Sequence, residues 1–406
     1  MNSWDIFDTL IARLHVDPKS IFDEVGRRIG DDTFKEKRIA AWNTVKKTCK
    51  EKTYQDIYNI LSEYDPQVEL NVEFEHNFPI YENIMKVKDG DLLLSDMYLP
   101  ADFILKMLRN AGLTAEVDII VTADGKKKGW IWDSVKSKYN INAHYGDNYK
   151  SDVVSAQKHG INGILYEGHK FTEIEKYVYR NDKQLASWMR CVRLLCPFND
   201  SKHIKFWNDQ ANINLPVLAL ATLELPDTPI AFTYRDCFNW QKIYQYMTGK
   251  QGYRLDVSRK MYLSRNEHFI EYMQFVKDIN ATIVDLQGKG RSIQSFYNGN
   301  PPNTLYIGGS TPPYVTQLVS YQTKSMEKHN CFDEGPIIDW DENGPIRGPN
   351  DHPEDVADIH RKAGQAAIRY INCFKFKRNV TLLGYLVTLY DTSNFTNKNV
   401  KWARNN

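Results

Sequence analysis

The chain has 406 residues, with 52 Lys plus Arg against 51 Asp plus Glu and a formal net charge of +1. At about 150 residues per domain this length suggests two or three domains, and the 42% hydrophobic and 25% charged content is that of a globular chain, not a disordered one. The balanced charge gives no general pull toward nucleic acid or an acidic membrane surface, so neither partner is expected. No apolar run approaches the roughly 18 residues that a membrane span needs, and Met1-Asn2-Ser3-Trp4-Asp5 lacks the basic and then apolar start of a signal peptide. The six cysteines (Cys49, Cys191, Cys196, Cys237, Cys331 and Cys373) are scattered, with no CxxC pair. They read as reduced thiols in a cytoplasmic protein, not as a disulfide frame or a zinc site.

In chain order, Trp4 to Leu10 predicts a short apolar strand. Residues 14–88 then read as a helical insertion. Ile21, Phe22, Val25 and Ile29 recur at helical spacing, as do Ile57, Ile60 and Leu61, and Thr53 with Asp56 after it resembles a helix start. From Asp91 the period changes. Strands are predicted at Asp91–Ser95, Val117–Val121, Asn142–Tyr145 and Gly163–Tyr166, with helices at Ala101–Ala111, Trp130–Tyr139 and Asp152–His159 between them. This alternation indicates a parallel sheet covered on both faces. Residues 171–228 read as a helical connector. A second alternating series follows, with strands at Ile230–Tyr234, Tyr253–Val257, Ala281–Leu286 and Thr304–Ile307. Residues 332–354 read as a long loop and His360–Phe374 as a helix. The expected fold class is α/β, with a Rossmann-like domain over 1–170, the connector over 171–228 and a second α/β domain over 229–406.

Open α/β sheets bind ligands at the carboxyl ends of their strands. Four such ends carry reactive side chains in the first half: Asp5-Ile6-Phe7-Asp8-Thr9-Leu10, Leu94-Ser95-Asp96, Lys126-Lys127-Lys128-Gly129, and His144-Tyr145-Gly146-Asp147-Asn148-Tyr149-Lys150-Ser151-Asp152. In this order, each after an apolar strand, they resemble the haloacid dehalogenase-like (HAD) superfamily of phosphohydrolases over roughly residues 1–170. One subgroup of predicted hydrolases has a first motif much like Trp4 to Leu10.

The resemblance implies a HAD-like sheet with an inserted helical cap and a Mg²⁺ cofactor. It also implies phosphohydrolase or phosphotransferase action on a phosphorylated small molecule, such as a sugar or nucleotide phosphate. By position it makes Asp5 the nucleophile and a metal ligand, and Ser95 the hydroxyl residue that binds phosphoryl oxygens. Lys126, preferred over Lys128, becomes the cation that neutralises the intermediate, and Asp147 and Asp152 become the acids on the Mg²⁺ side. Thr9, Asp96 and Asn148 stand beside these motifs as candidate substrate contacts. The chemistry is coherent, because a carboxylate approaches a phosphate dianion only when a metal ion and an ammonium cancel the repulsion. The pattern departs from the family at Phe7, where phosphatases carry a second Asp that protonates the leaving group. Asp8 stands where the family often has Gly. Arg38 and Glu75 of the insertion are candidates for substrate selection or plain surface residues, and His144 reads as a packed histidine.

In the second half, Arg235 and Asp236 follow one predicted strand, and Ser258 and Arg259 follow another. Asp285-Leu286-Gln287-Gly288-Lys289-Gly290-Arg291-Ser292 joins a strand, a Gly-rich loop and a helix start. Backbone N–H groups and a helix dipole there suit a phosphate cradle formed by Asp285, Gly288, Gly290 and Ser292, and a Rossmann-like domain whose glycines only allow a tight turn is the alternative. Arg235, Asp236, Ser258 and Arg259 form either a second polar site or a structural ion-pair network. The stretch loosely resembles the phosphate loop of phosphoribosyltransferases, although Lys289 replaces a Thr and one acid of the usual pair is missing. Phosphoribosyl or glycosyl transfer by this domain is therefore one alternative to hydrolysis. A degenerate HAD-like scaffold that binds without turnover is another.

Overall fold

The first strand, β1 (Ser3–Trp4), is two residues long, yet it lies at the centre of a five-stranded parallel sheet. Trp4 accounts for this. Its ring stacks on Tyr145 with centroids 4.3 Å apart, and its Nε1 donates to Asp91 Oδ2 at 3.0 Å. Asp91 also accepts from the backbone N–H groups of Asn2 and Lys88, so one carboxylate ties β1 to the start of its neighbour. The other strands are β2 (Leu92–Ser95), β3 (Asp118–Val121), β4 (Ala143–Gly146) and β5 (Asn162–Leu165), in the order β3-β2-β1-β4-β5. Leu92, Leu93 and Leu94 are buried, as a strand covered on both faces requires. The chain fills one side of β1 and then crosses to the other, so the order reverses between β1 and β4. That crevice is where such sheets hold ligands.

This computed structural model describes residues 1–49, 52–309, 315–321, 323, 325–330, 332, 334–350 and 352–393. The fold is α/β and falls into two compact units. One comprises Met1–Thr172 with Leu194–Pro197, and the other Glu173–Arg193 with Phe198–Asn406. The second unit holds its own parallel sheet, with β6 (Ile230–Thr233), β7 (Tyr253–Leu255), β8 (Thr282–Gln287), β9 (Thr304–Gly308) and β10 (Val315–Val319) in the order β10-β9-β8-β6-β7. Its switch point lies between β6 and β8.

The helices expected as a connector belong to this unit. Leu215–Thr222 is buried along its whole length, and Thr222 accepts from Trp240 Nε1 at 3.1 Å. Trp188 Nε1 donates to Ala367 O at 3.0 Å. The predicted loop at 332–354 contains an antiparallel hairpin, Ile337–Asp341 with Gly344–Arg347. Cys49, Cys191, Cys196, Cys237 and Cys373 are free thiols, and Cys331 lies outside the described residues. Among the described residues no helix is long and apolar enough to cross a membrane.

Between β1 and β2 the chain makes an antiparallel pair, Ile11–Arg13 with Asn77–Pro79, that brackets four main helices. These are α1 (Ser20–Ile29), α2 (Phe34–Thr48), α3 (Tyr54–Ile60) and α4 (Pro66–Glu75). Thr53 and Asp56 form the expected capping box at the start of α3. Arg38 is neither a surface residue nor a selection residue. It is fully buried, bonded to Glu69 through Nε at 2.7 Å and Nη2 at 2.9 Å, with its guanidinium packed between the rings of Phe22 and Tyr98. Tyr58 OH completes the cluster on Glu69 Oε2 at 2.9 Å. Glu75 is exposed and pairs with Arg28. A second buried pair, Arg13 with Glu73, joins the antiparallel bracket to α4.

Removing one partner of a buried pair strands the other charge. Glu69→Ala is therefore expected to cost about 3–5 kcal/mol in urea unfolding, and Arg38→Met/Glu69→Leu to restore most of that stability. A Glu69→Ala cost below about 1 kcal/mol would contradict this role for the pair.

Candidate active site

The site is built where β1 and β4 end. Asp5 leaves β1 with its N–H bonded to Tyr145 O at 2.8 Å. Its carboxylate is buried and accepts from Lys126 Nζ through Oδ1, while Thr9 Oγ1 lies 3.5 Å from Oδ2. Lys126 Nζ also donates to Asp152 Oδ1 at 2.8 Å. One oxygen from each of Asp5, Asp147 and Asp152 lies within 4.8 Å of the others. Thus Asp5, Lys126, Asp147 and Asp152 come together, with Thr9 beside them. Ser95 is buried at the end of β2, the strand next to β1.

Several expected residues hold this cluster in place. Asp96, expected on the substrate, accepts from Thr122 Oγ1 at 2.8 Å, Lys126 N at 2.9 Å and Lys127 N at 3.0 Å. Its carboxylate therefore fixes the lysine loop. Ser155 Oγ donates to Lys126 O at 2.7 Å and accepts from Trp132 Nε1. Asn148, also expected on the substrate, uses its Oδ1 to accept from the N–H groups of Lys150 and Ser151, capping the widened helical turn Tyr149–Val154.

Lys128 points elsewhere, exposed and paired with Asp124 at 2.7 Å. The sequence preference for Lys126 over Lys128 agrees with the geometry, since Lys126 Nζ is the ammonium that meets Asp5 and Asp152 while Asp96 holds the backbone of the loop. Asp152 is fully buried and accepts from Asn148 N at 2.9 Å, and its Oδ1 lies 3.5 Å from His144 Nε2. His144 is buried, with Nδ1 against Ser3 Oγ at 2.9 Å, and so acts as a positioning residue behind Asp152. Residue 146 must be glycine, since a Cβ there would stand 2.4 Å from Asp152 Cγ. His169, which no motif marked, lies 3.9 Å from Asp147.

The electrostatics follow from burial and crowding. Burial pushes Asp5 well above the usual carboxylate range, against the pull of Lys126. Burial, with Asp8 and Asp152 nearby, raises Asp147 to about 6. Burial alone would raise Asp152 and lower Lys126. Instead, Lys126 and His144 hold Asp152 well below its ordinary value, and Asp5 and Asp152 hold Lys126 above its own. Fully ionised, three carboxylates against one ammonium would carry an excess of two negative charges, and their mutual repulsion is part of what raises Asp5 and Asp147. A hard divalent cation such as Mg²⁺, which takes oxygen ligands, fits that donor set. Asp5, Asp147 and Asp152, the expected ligands, are the residues that would hold it, with Asp152 bonded as well by Lys126 and Asn148 N.

The expected residues of the second half lie together in the second unit. Arg235, Asp236, Asp285, Gly288, Gly290 and Ser292 line one cavity of about 810 Å³ at the carboxyl ends of β6 and β8. The helix after the glycines, Arg291–Phe296, is only six residues long, so side chains and not a helix dipole supply the positive charge there. No family model matches the chain, and no curated protein matches it significantly.

Mg²⁺ titration of the full chain should show one site in the first unit. Asp147→Asn is expected to weaken it about 10–100-fold and Lys128→Ala by less than about twofold. Equal effects of the two substitutions would overturn the assignment of the acids.

Proposed function

We propose that the first unit is a HAD-like fold with a helical cap that uses Mg²⁺ and Asp5 to remove a phosphoryl group from a phosphorylated small molecule. The observation that carries this reading is the convergence of Asp5, Asp147, Asp152 and Lys126 at a switch point of a parallel sheet. A bound Mg²⁺ would supply positive charge for the approach of one anion to another.

The protein's own groups do the rest. The Lys126 ammonium draws charge from Asp5 Oδ1 and leaves Oδ2 as the attacking oxygen. A bond forms from Oδ2 to phosphorus as the bond to the leaving oxygen breaks, giving an aspartyl-phosphate and the released group. Water then adds to phosphorus, the Asp5 carboxylate departs, and inorganic phosphate leaves. The Ser95 hydroxyl, at the end of the adjacent strand, is the donor for a phosphoryl oxygen.

Phe7 sets the substrate preference. Its benzyl side chain carries no ionisable proton to give a leaving oxygen, and its ring is covered by the Arg13 guanidinium at 4.5 Å. General acid help is typically worth about 10²–10⁴-fold. Substrates whose leaving group departs as a stable anion are therefore favoured.

Phosphate release from acetyl phosphate or p-nitrophenyl phosphate is expected to require Mg²⁺ and to exceed release from alkyl phosphomonoesters by about 10²–10⁴-fold. Asp5→Asn should abolish it. Phosphate release that survives Asp5→Asn would overturn the assignment, and equal rates on all leaving groups would overturn the role of Phe7.

A further inference from the structure

The cavity of the second unit has a chemistry of its own. It is formed by the loops after β6, β7 and β8, and its volume of about 810 Å³ suits a small metabolite. Five cations line it: Arg235, which lies 3.8 Å from Asp236, Arg347, and a group of three, Arg259, Lys289 and Arg291. All three are exposed, and among the described residues none has an ion-pair partner. Arg347, which also lines the cavity, is by contrast engaged by Asp256 and Glu334. The ion pairs of Arg347 and the bond from Ser258 Oγ to Ile337 O at 2.9 Å fasten the 337–347 hairpin as one wall.

A second, independent feature lies deeper. Gln287 lines the cavity and is 8% exposed, and its Oε1 is buried without a hydrogen-bond donor among the described residues. A buried amide oxygen without a donor is costly. Asp285, next to it in the same cavity, is pushed up to about 7 by burial and by the nearby Asp236. The cavity thus has a rim that wants negative charge and a floor that wants hydrogen-bond donors. A bare polyanion satisfies the rim and is repelled by Asp236 and Asp285. A neutral polyol satisfies only the floor. A molecule with a phosphate at one end and hydroxyl groups at the other satisfies both.

We propose that this cavity is a binding site for a sugar phosphate, with Arg259, Lys289 and Arg291 holding the phosphate and Gln287 and Asp285 accepting from the sugar hydroxyls. The site is separate from the Asp5 cluster and does not depend on how that cluster is read.

The test is calorimetric titration of the full chain carrying Lys126→Met, in EDTA, so that the first unit offers neither its ammonium nor a metal ion to the ligand. The probes are inorganic phosphate, ribose 5-phosphate, glucose 6-phosphate and free ribose. At least one sugar phosphate is expected to bind about tenfold or more tighter than both inorganic phosphate and free ribose. Adding Arg259→Ala, Lys289→Ala and Arg291→Ala should weaken it by about tenfold or more, and Arg259→Lys with Lys289→Arg should retain it. Gln287→Leu should weaken the sugar phosphate and leave inorganic phosphate unaffected. Thermal unfolding of each variant confirms that it folds. Absence of binding by both sugar phosphates would overturn the proposal. So would binding that survives the triple substitution in a folded chain, or affinity for free ribose equal to that for its phosphate.

Discussion

The contact on which the first unit depends is a single ammonium group buried between two carboxylates. Taking these charges out of water is costly, and the cost is recovered only if the geometry is held and the remaining hydrogen bonds are made. Much of the surrounding sequence serves that purpose. Asp96 and Ser155 fix the backbone of Lys126 from two sides. His144 and Asn148 fix Asp152, and glycine at 146 lets that carboxylate approach the strand. Asp5 and Asp147 stand beside the Lys126–Asp152 pair, and burial and crowding raise both above the usual carboxylate range. On the reading proposed above, a divalent cation would offset the charge that these carboxylates carry when ionised.

The helical insertion is tied to the same cluster. Lys52, from the stretch before α3, pairs at 3.1 Å with Asp124, two residues before Lys126. The insertion is itself held by buried Arg–Glu pairs, where an all-apolar core would be simpler. Such pairs are weak contributors to stability but demanding in geometry. They fix how α2 and α4 meet, and Arg13 carries that geometry to Phe7, two residues from Asp5.

Much of this was legible from residue order. The apolar strands ending at Ser95 and just before Asp147 announce themselves through short hydrophobic runs followed by polar clusters, and the structure has strands at those places. Three things were hidden. The first strand reads as seven residues but pairs over only two, because Asp5 to Leu10 turns back on itself with Asp8 in the left-handed region at φ 55°. That conformation is the physical reason a glycine suits the position. The roles of Asp96 and Asn148 depend on which donors fold back onto them, and that of Arg38 on the acceptor Glu69, and neither composition nor spacing encodes that. The 337–347 hairpin was masked by its prolines and acids, and β10 is a partly exposed edge strand whose pattern is weak.

The central claim is that the Asp5 carboxylate becomes covalently phosphorylated. The direct measurement is acid quenching of the full chain during turnover with Mg²⁺ and acetyl phosphate, followed by borohydride reduction and peptide mass spectrometry. Reduction of an aspartyl-phosphate leaves homoserine, so homoserine at residue 5 is the expected result. Phosphate release with residue 5 unchanged, or homoserine at residue 8, 147 or 152 instead, would contradict it.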